Sequence, residues 1–283
     1  MIILTGASDG IGAAAARLLA REGREFVVVG RSPDKTRAIA EEVGARAFTA
    51  DFARLSDVRR LASDLLDACP RIDALANNAG GIFAGREMTA DGFEKTFQVN
   101  HLAPFLLTRL LLARLIDSRA SVVQTSSIGS RLGGRIRLDD LQTEHRYTNY
   151  RAYTAAKLAN ILFTRELHTR HHEDGLSAVA FHPGNIASNF AGESRGWVRF
   201  VAENPLTRSL LDSPESGARH LVRFVTGRPG HDWEPGGYYE KGRLARRENP
   251  QGRDAGLGRA LWERSERMLN LTAAGRPSSE PVS

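Results

Sequence analysis

Cysteine is almost missing from this chain of 283 residues: Cys69 stands alone, which excludes an internal disulfide and any cysteine-rich metal site. An unbroken apolar run long enough to cross a bilayer is also missing. The most apolar long stretch, LAPFLLTRLLLARLI, is interrupted by Arg109 and Arg114, so no membrane span is expected. No basic region precedes the short apolar segment after Met1, and no secretory signal is read there. Together these absences lead to the expectation of a soluble, cytoplasmic protein. Repeats and a dividing linker are absent too, and the 41% hydrophobic content is enough to bury the core of one large domain. That domain is expected over residues 1–272, with a disordered tail over 273–283.

The formal charge is +6 with a pI near 9.9, but the 39 basic residues are dispersed among 33 acidic ones. Dispersed charge makes a solvated surface, and no nucleic-acid partner is expected. The His168–His172 cluster reads as a solvated helix end, and His182 as a structural residue, so no metal site is expected.

What is present is alternation. Short β-branched runs occur at 2–5, 26–30, 45–50, 72–77, 121–126 and 176–182, each read as a strand buried on both faces. Segments with helical periodicity separate them, one with Ser56 and Asp57 as caps. This order predicts a single α/β domain: a doubly wound parallel sheet with helices on both faces. The stretch 185–212 breaks the rhythm and carries Ile186, Phe190, Trp197, Phe200 and Val201, a pattern expected of a flap over an apolar pocket. A helix is expected over Pro214–Thr226, a strand at GGYYE and a last helix around GRALWERSERMLN.

Lysine is scarce, with only Lys35, Lys95, Lys157 and Lys241 beside five tyrosines. One chance Tyr-x-x-x-Lys has an expectation of about 0.07, yet Tyr153 and Lys157 stand in that relation. On a helix the phenol and the ammonium share one face. A phenol titrates near ~10 in water, and a neighbouring positive charge would favour its anion. Ser127, at the carboxyl end of the SVVQTS strand, lies on the edge where open α/β sheets bind ligands. Ser127 and Asn100 could equally cap a turn or a helix.

The first strand runs into the first helix through Gly6, Gly10 and Gly12. Glycine is expected where backbone must pass close to a pyrophosphate at a helix N-terminus. After the second strand, Gly30 and Arg31 occupy the place where an NAD site would put an acidic residue on the ribose hydroxyls. Arg31 can instead receive a 2′-phosphate, with help from Lys35, which predicts NADP(H) over NAD(H).

TGASDGIG resembles the cofactor motif of the short-chain dehydrogenase/reductase family. NNAG (77–80), VNHLAPFLLT from Val99, QTSS (124–127), YTAAK (153–157) and HPGNIAS (182–188) resemble its remaining motifs in their usual order. Within the family, LDDLQTEHRY, KLANILFTREL and LWERSERML resemble the retinol dehydrogenase-like broad-specificity reductases. The resemblance implies a Rossmann-type fold and a catalytic tetrad of Asn100, Ser127, Tyr153 and Lys157, with Asn100 holding a water that relays protons from Lys157. It implies cofactor contacts at Gly6, Ser8, Asp9, Gly10, Ile11 and Gly12, at Asp51 and Phe52 near the adenine, and at Asn78, Ala79 and Gly80 under the adenosine half. Pro183, Gly184 and Ile186 follow, Ile186 beside the carboxamide. Asp9 stands where NADP-dependent members often carry a basic residue, and Asn185 with Ser188 matches the usual PGxxxT ending only loosely. The expected function is hydride transfer between NADP(H) and a lipophilic carbonyl or alcohol, in a homodimer or homotetramer joined through helices near 91–117 and 151–173. The alternative is an idle dinucleotide sensor.

Overall fold

The computed structural model describes residues 1–184 and 212–271. The expected flap, except for Asp212, and the expected tail lie outside the described residues, as do Asn185, Ile186 and Ser188.

Eight strands form one sheet in the order β3-β2-β1-β4-β5-β6-β7-β8. They are β1 (Ile2–Thr5), β2 (Phe26–Gly30), β3 (Arg46–Thr49), β4 (Ala74–Asn77), β5 (Ser121–Thr125), β6 (Ser177–His182), β7 (Tyr238–Glu240) and β8 (Arg243–Leu244). The first seven pair in parallel and β8 returns antiparallel. Alternation along each strand divides the core. In β1, Ile3 joins the cluster on one face while Ile2 and Leu4 join that on the other, as successive side chains of a strand must.

Helices α1 (Gly10–Arg21), α2 (Pro33–Val43) and α3 (Leu55–Ala68) follow the first three strands. A continuous helical segment then runs through α4 (Lys95–Phe97), a π turn (Gln98–Leu102) and α5 (Ala103–Asp117). It is long and apolar enough to cross a membrane by length and composition, and 72% of its most apolar window is buried inside the protein. A short α6 (Gly129–Leu132) precedes the long α7 (Asn149–His171), and α8 (Pro214–Thr226) and α9 (Ala255–Met268) complete the fold. On α9, Trp262 packs on Phe105 at 4.9 Å and on Phe163 at 5.6 Å between ring centroids. The C-terminal helix therefore covers the α5 and α7 surface.

Two expectations are corrected. β3 is an edge strand with exposed or half-buried residues, not a strand buried on both faces, because nothing among the described residues pairs with its outer side. The caps expected at Ser56 and Asp57 lie inside α3, which starts at Leu55. Asp57 instead accepts a hydrogen bond from the Asp51 N–H at 3.0 Å.

Candidate active site

The sheet order reverses between β1 and β4, the position where a crevice opens at the carboxyl ends of the strands. Thr5 ties the two strands there: its hydroxyl donates to the Ala76 carbonyl at 2.9 Å and accepts from the Asn78 and Ala79 N–H groups at 3.0 and 3.1 Å. The Asn78 side chain donates to the Thr5 carbonyl at 3.0 Å and accepts from the Thr125 hydroxyl at 3.3 Å.

Over this junction runs the glycine turn. Gly6 and Gly10 hold φ of 66° and 53°, the left-handed region that favours glycine. A Cβ on Gly12 would lie 2.0 Å from the Gly6 carbonyl oxygen, and one on Gly6 would lie 2.8 Å from the Ala79 Cα. Asp9 caps α1, accepting from the Gly10 N–H at 2.7 Å, and its other oxygen is 3.4 Å from Lys35 Nζ. The turn is therefore a tight backbone cradle at a helix N-terminus, the form that suits a pyrophosphate. Arg31 is exposed directly after β2. The preceding Gly30 packs so closely on the turn that an added Cβ would lie 3.0 Å from Ser8 Oγ. Asp51 is half-buried and accepts from the Ala53 N–H at 3.0 Å, while the adjoining Phe52 is buried.

At the end of β5 the two adjoining serines separate in role. Ser126 is buried and donates to the Lys157 carbonyl at 2.7 Å, a structural bond that leaves Ser127 facing the crevice. Ser127 Oγ accepts from the Gly129 N–H at 3.1 Å, which sets its direction, and its hydroxyl lies close enough to Tyr153 to favour the phenolate. Lys157 is buried on the next turn of α7. Its ammonium donates to the Thr125 carbonyl at 3.0 Å and lies 5.6 Å from the centre of the Tyr153 ring.

Asn100 caps no helix. It is buried in the π turn, where its amide nitrogen donates to the Gly81 and Thr96 carbonyls, both at 2.9 Å, and its oxygen accepts from the Gly81 N–H at 3.0 Å. Four residues later stands Pro104, which has no N–H to return to the Asn100 carbonyl. That carbonyl therefore lacks its regular helical donor, and the π turn marks the interruption. A Cβ on Gly80 would lie 2.5 Å from Asn100 Oδ1 and 3.2 Å from Lys157 Nζ, so Gly80 belongs to the Asn100 and Lys157 side of the crevice. Pro183 and Gly184 are buried at the end of β6, where Gly184 adopts φ 113° against Asp212.

Burial dominates the electrostatics. It pushes the Tyr153 phenol up to about 12, with the Ser127 hydroxyl acting in the opposite direction, and it pushes Lys157 down to about 8. The expected lowering of the phenol by Lys157 is not what this arrangement gives, because the ammonium is directed to Thr125 and lies over the ring. His101, beside Asn100, is held down at about 4 by burial among Phe97, Phe105 and Phe163. The sequence reading passed over His101, Gly81 and Asn160. The spacing of Asn100 and Pro104 was the one available signal for the π turn.

With this geometry in place, comparison with known proteins is decisive. The family model described as short chain dehydrogenase matches residues 1–199. The chain belongs to the short-chain dehydrogenase family. One relative in the family, a Streptomyces sp. (strain C5) protein named as a candidate daunorubicin C-13 ketoreductase (DnrU), is 42% identical over 96% of this chain and 93% of its own length. Retinol dehydrogenase 13 of Homo sapiens is 33% identical over 96% of this chain and 85% of its own. Among solved structures, an uncharacterised protein from Mycobacterium Paratuberculosis superposes with a TM-score of 0.73 at 33% identity, covering 94% of this chain and 92% of its own. A short-chain dehydrogenase from Shigella flexneri 2a str. 301 complexed with NADP superposes at 0.66 with 24% identity, covering 86% and 96%. This second likeness is one of fold.

Proposed function

We propose that this family member is an NADPH-preferring oxidoreductase that interconverts lipophilic carbonyl compounds and alcohols, with Asn100, Ser127, Tyr153 and Lys157 as its catalytic residues. The observation that carries the reading is the gathering of Ser127, held by the Gly129 N–H, and of Tyr153 with the buried Lys157 ammonium 5.6 Å from its ring, at the carboxyl edge of the sheet. A nicotinamide dinucleotide bound in the crevice supplies or accepts the hydride. The glycine turn from Gly6 to Gly12 holds its pyrophosphate, Asp51, Phe52, Asn78 and Ala79 line its adenosine half, and Pro183 and Gly184 lie toward its nicotinamide end. Ile186 remains proposed beside the carboxamide.

Ser127 donates to the substrate carbonyl oxygen and polarises it. Tyr153 delivers the proton that the oxygen needs as it becomes an alcohol. A phenol pushed up to about 12 stays protonated at neutral pH, which suits the reducing direction. Lys157, held near 8, gains and loses protons in the neutral to mildly alkaline range. The Asn100 carbonyl, without its helical donor, offers an acceptor for the water that carries protons onward.

An apolar preference is supported by Leu132 and Tyr150, 64% and 52% exposed on α6, which follows Ser127, and on the first turn of α7, which carries Tyr153. The names of two relatives, a ketoreductase and a retinol dehydrogenase, point to carbonyl–alcohol chemistry. Arg31, with no acid in its place, supports NADPH. NADPH oxidation followed across aldehydes and ketones of increasing chain length tests the proposal. Turnover that rises with apolar length agrees with it, and a preference for small charged substrates, or no turnover on any carbonyl, contradicts it.

A further inference from the structure

Ser127 owes its direction to a short turn that has little of its own to hold it. Its Oγ accepts from the Gly129 N–H at 3.1 Å, and its carbonyl accepts from the Ser130 N–H and hydroxyl at 3.0 and 2.7 Å. The Tyr238 hydroxyl also reaches that carbonyl, at 3.2 Å. Gly129 opens α6, a single turn of four residues, and a helix that short is not stable alone. Gly133 and Gly134 follow, the residue type that loses most freedom on ordering. Leu132, Gly133 and Arg135 are exposed, so burial fixes the stretch only at its ends, Gly129 with Ser130 and Ile136.

A clamp from the far end of the chain supplies the hold. The Asn249 side-chain nitrogen donates to the Ser130 carbonyl at 2.9 Å and to the Gly134 carbonyl at 2.6 Å, one proton for each. Its oxygen accepts from the Gln251 N–H at 3.0 Å, which settles which end of the amide faces the turn. Carbonyls of this kind are the ones that a one-turn helix leaves without regular partners. Two residues on, the Gln251 amide pairs with both backbone groups of Ile136, donating to its carbonyl at 3.0 Å and accepting from its N–H at 2.9 Å. The clamp is seated on α7. Arg165 donates to the Gly252 carbonyl and pairs with Glu248 at 2.8 Å, and a Cβ on the buried Gly252 would meet Leu158 and Ile161 at 3.5 Å. Residues 248–252 therefore join the helix that carries Tyr153 and Lys157 to the turn that aims Ser127.

We propose that Asn249 is a positioning residue of the active site: backed by Gln251, its amide holds the turn over 129–136 so that the Gly129 N–H keeps Ser127 Oγ directed into the crevice. This inference rests on the polarising role given to Ser127 under Proposed function. The hydrogen bonds of Asn249 go to backbone groups, so it sets the path of the chain. Two protons aimed at two carbonyls distinguish this amide from a side chain that merely fills space. An aspartate there has the same size and shape, but it would turn a carboxylate oxygen toward carbonyls that it cannot bond.

The test uses the full chain and two independent readouts. Amide proton exchange followed by NMR reads the Gly129 N–H, which marks the bond to Ser127, and needs no turnover. Kinetics and dinucleotide titration then compare Asn249→Ala and Asn249→Asp with Trp262→Phe, which loosens the packing of α9 and leaves the clamp in place. In both Asn249 variants the Gly129 amide should exchange about 5- to 100-fold faster, the worth of two neutral hydrogen bonds. Their kcat should fall roughly 10- to 100-fold, the scale of a misplaced catalytic group, with dinucleotide affinity changed less than about twofold. Trp262→Phe should lower the thermal midpoint and keep its kcat. An Asn249→Asp enzyme as active as the wild type overturns the proposal, because filling space would then suffice. So does a Gly129 amide that exchanges at the wild-type rate in both Asn249 variants, or an equal kcat loss in Trp262→Phe. A wild type without turnover would sink the proposed function instead, and the exchange rates would still decide whether Asn249 holds the turn.

Discussion

The ammonium of Lys157 and the carbonyl oxygen of Thr125 meet at 3.0 Å in a buried pocket, and that single bond fixes which way the lysine points. The arrangement is costly, because burial brings the ammonium down from 10.5 to about 8. Below about 8 the folded protein carries a buried charge that the unfolded chain keeps in water. Between about 8 and 10.5 the unfolded state binds more protons, so stability from this group rises with pH through that window. Lys157→Met should therefore abolish most turnover yet raise stability by up to about 3 kcal/mol at neutral pH. The gain should shrink as pH rises from about 8 to 10.5, and thermal midpoints of both proteins across that range check it.

Arg31 and Ser8 flank the Gly30 packing contact, with no acid where a ribose diol would be gripped. A hydrogen bond to a charged group contributes ~1.5 to 3 kcal/mol, so Arg31→Ala should weaken NADPH roughly 10- to 150-fold and leave NADH nearly unchanged. Titration of both dinucleotides into both proteins gives the comparison. Equal losses for the two, or a wild-type preference for NADH, would show that Arg31 does not read the phosphate.

Gly80 offers a steric probe of the Asn100 and Lys157 arrangement. A methyl there would sit 2.5 Å from Asn100 Oδ1 and 3.2 Å from Lys157 Nζ, so one of them must move. Gly80→Ala should lower kcat by roughly 10²-fold, the scale of an ångström misplacement. Gly81→Ala, where a Cβ meets nothing closer than 3.7 Å and the backbone, as at Gly80, lies outside the left-handed region, serves as the control for a methyl without a clash. Similar kcat in the two variants would remove Asn100 and Lys157 as the reason.

Two buried histidines predict acid sensitivity. His101 and His182 are each held at about 4, chiefly by burial, against an ordinary value of 6.5. Between those values the unfolded chain binds more protons, so stability is lost as pH falls from about 6.5 toward 4. Each histidine contributes up to about 3 kcal/mol to that loss. His101→Phe should flatten the fall in thermal midpoint over this window, and an undiminished fall would assign the acid sensitivity elsewhere.

Much of the fold was legible because it depends on local pattern. β-branched runs six strands long in series, separated by helical periodicity, leave few solutions besides a parallel sheet, and the glycine turn marked its first crossover. The helix over Pro214–Thr226 agrees in both bounds, since Ser213 caps it and Pro214 fits its first turn. Less legible were features set by tertiary packing. The exposure of β3 depends on strand order, which periodicity does not encode. The direction of Lys157 depends on a carbonyl 32 residues away, so a sequence reading that treated it as a positive charge beside the Tyr153 phenol missed the Thr125 contact.

The central claim is that Tyr153 is the acid that protonates the reduced carbonyl, and turnover of Tyr153→Phe with a substrate of the wild-type enzyme tests it most directly. The substitution removes one hydroxyl and leaves the ring under the Lys157 ammonium. General acid–base help is worth typically ~10² to 10⁴ in rate, so kcat should fall by that factor while NADPH affinity stays close to that of the wild type. Turnover within a few-fold of the wild type, with the dinucleotide bound equally well, would contradict the account.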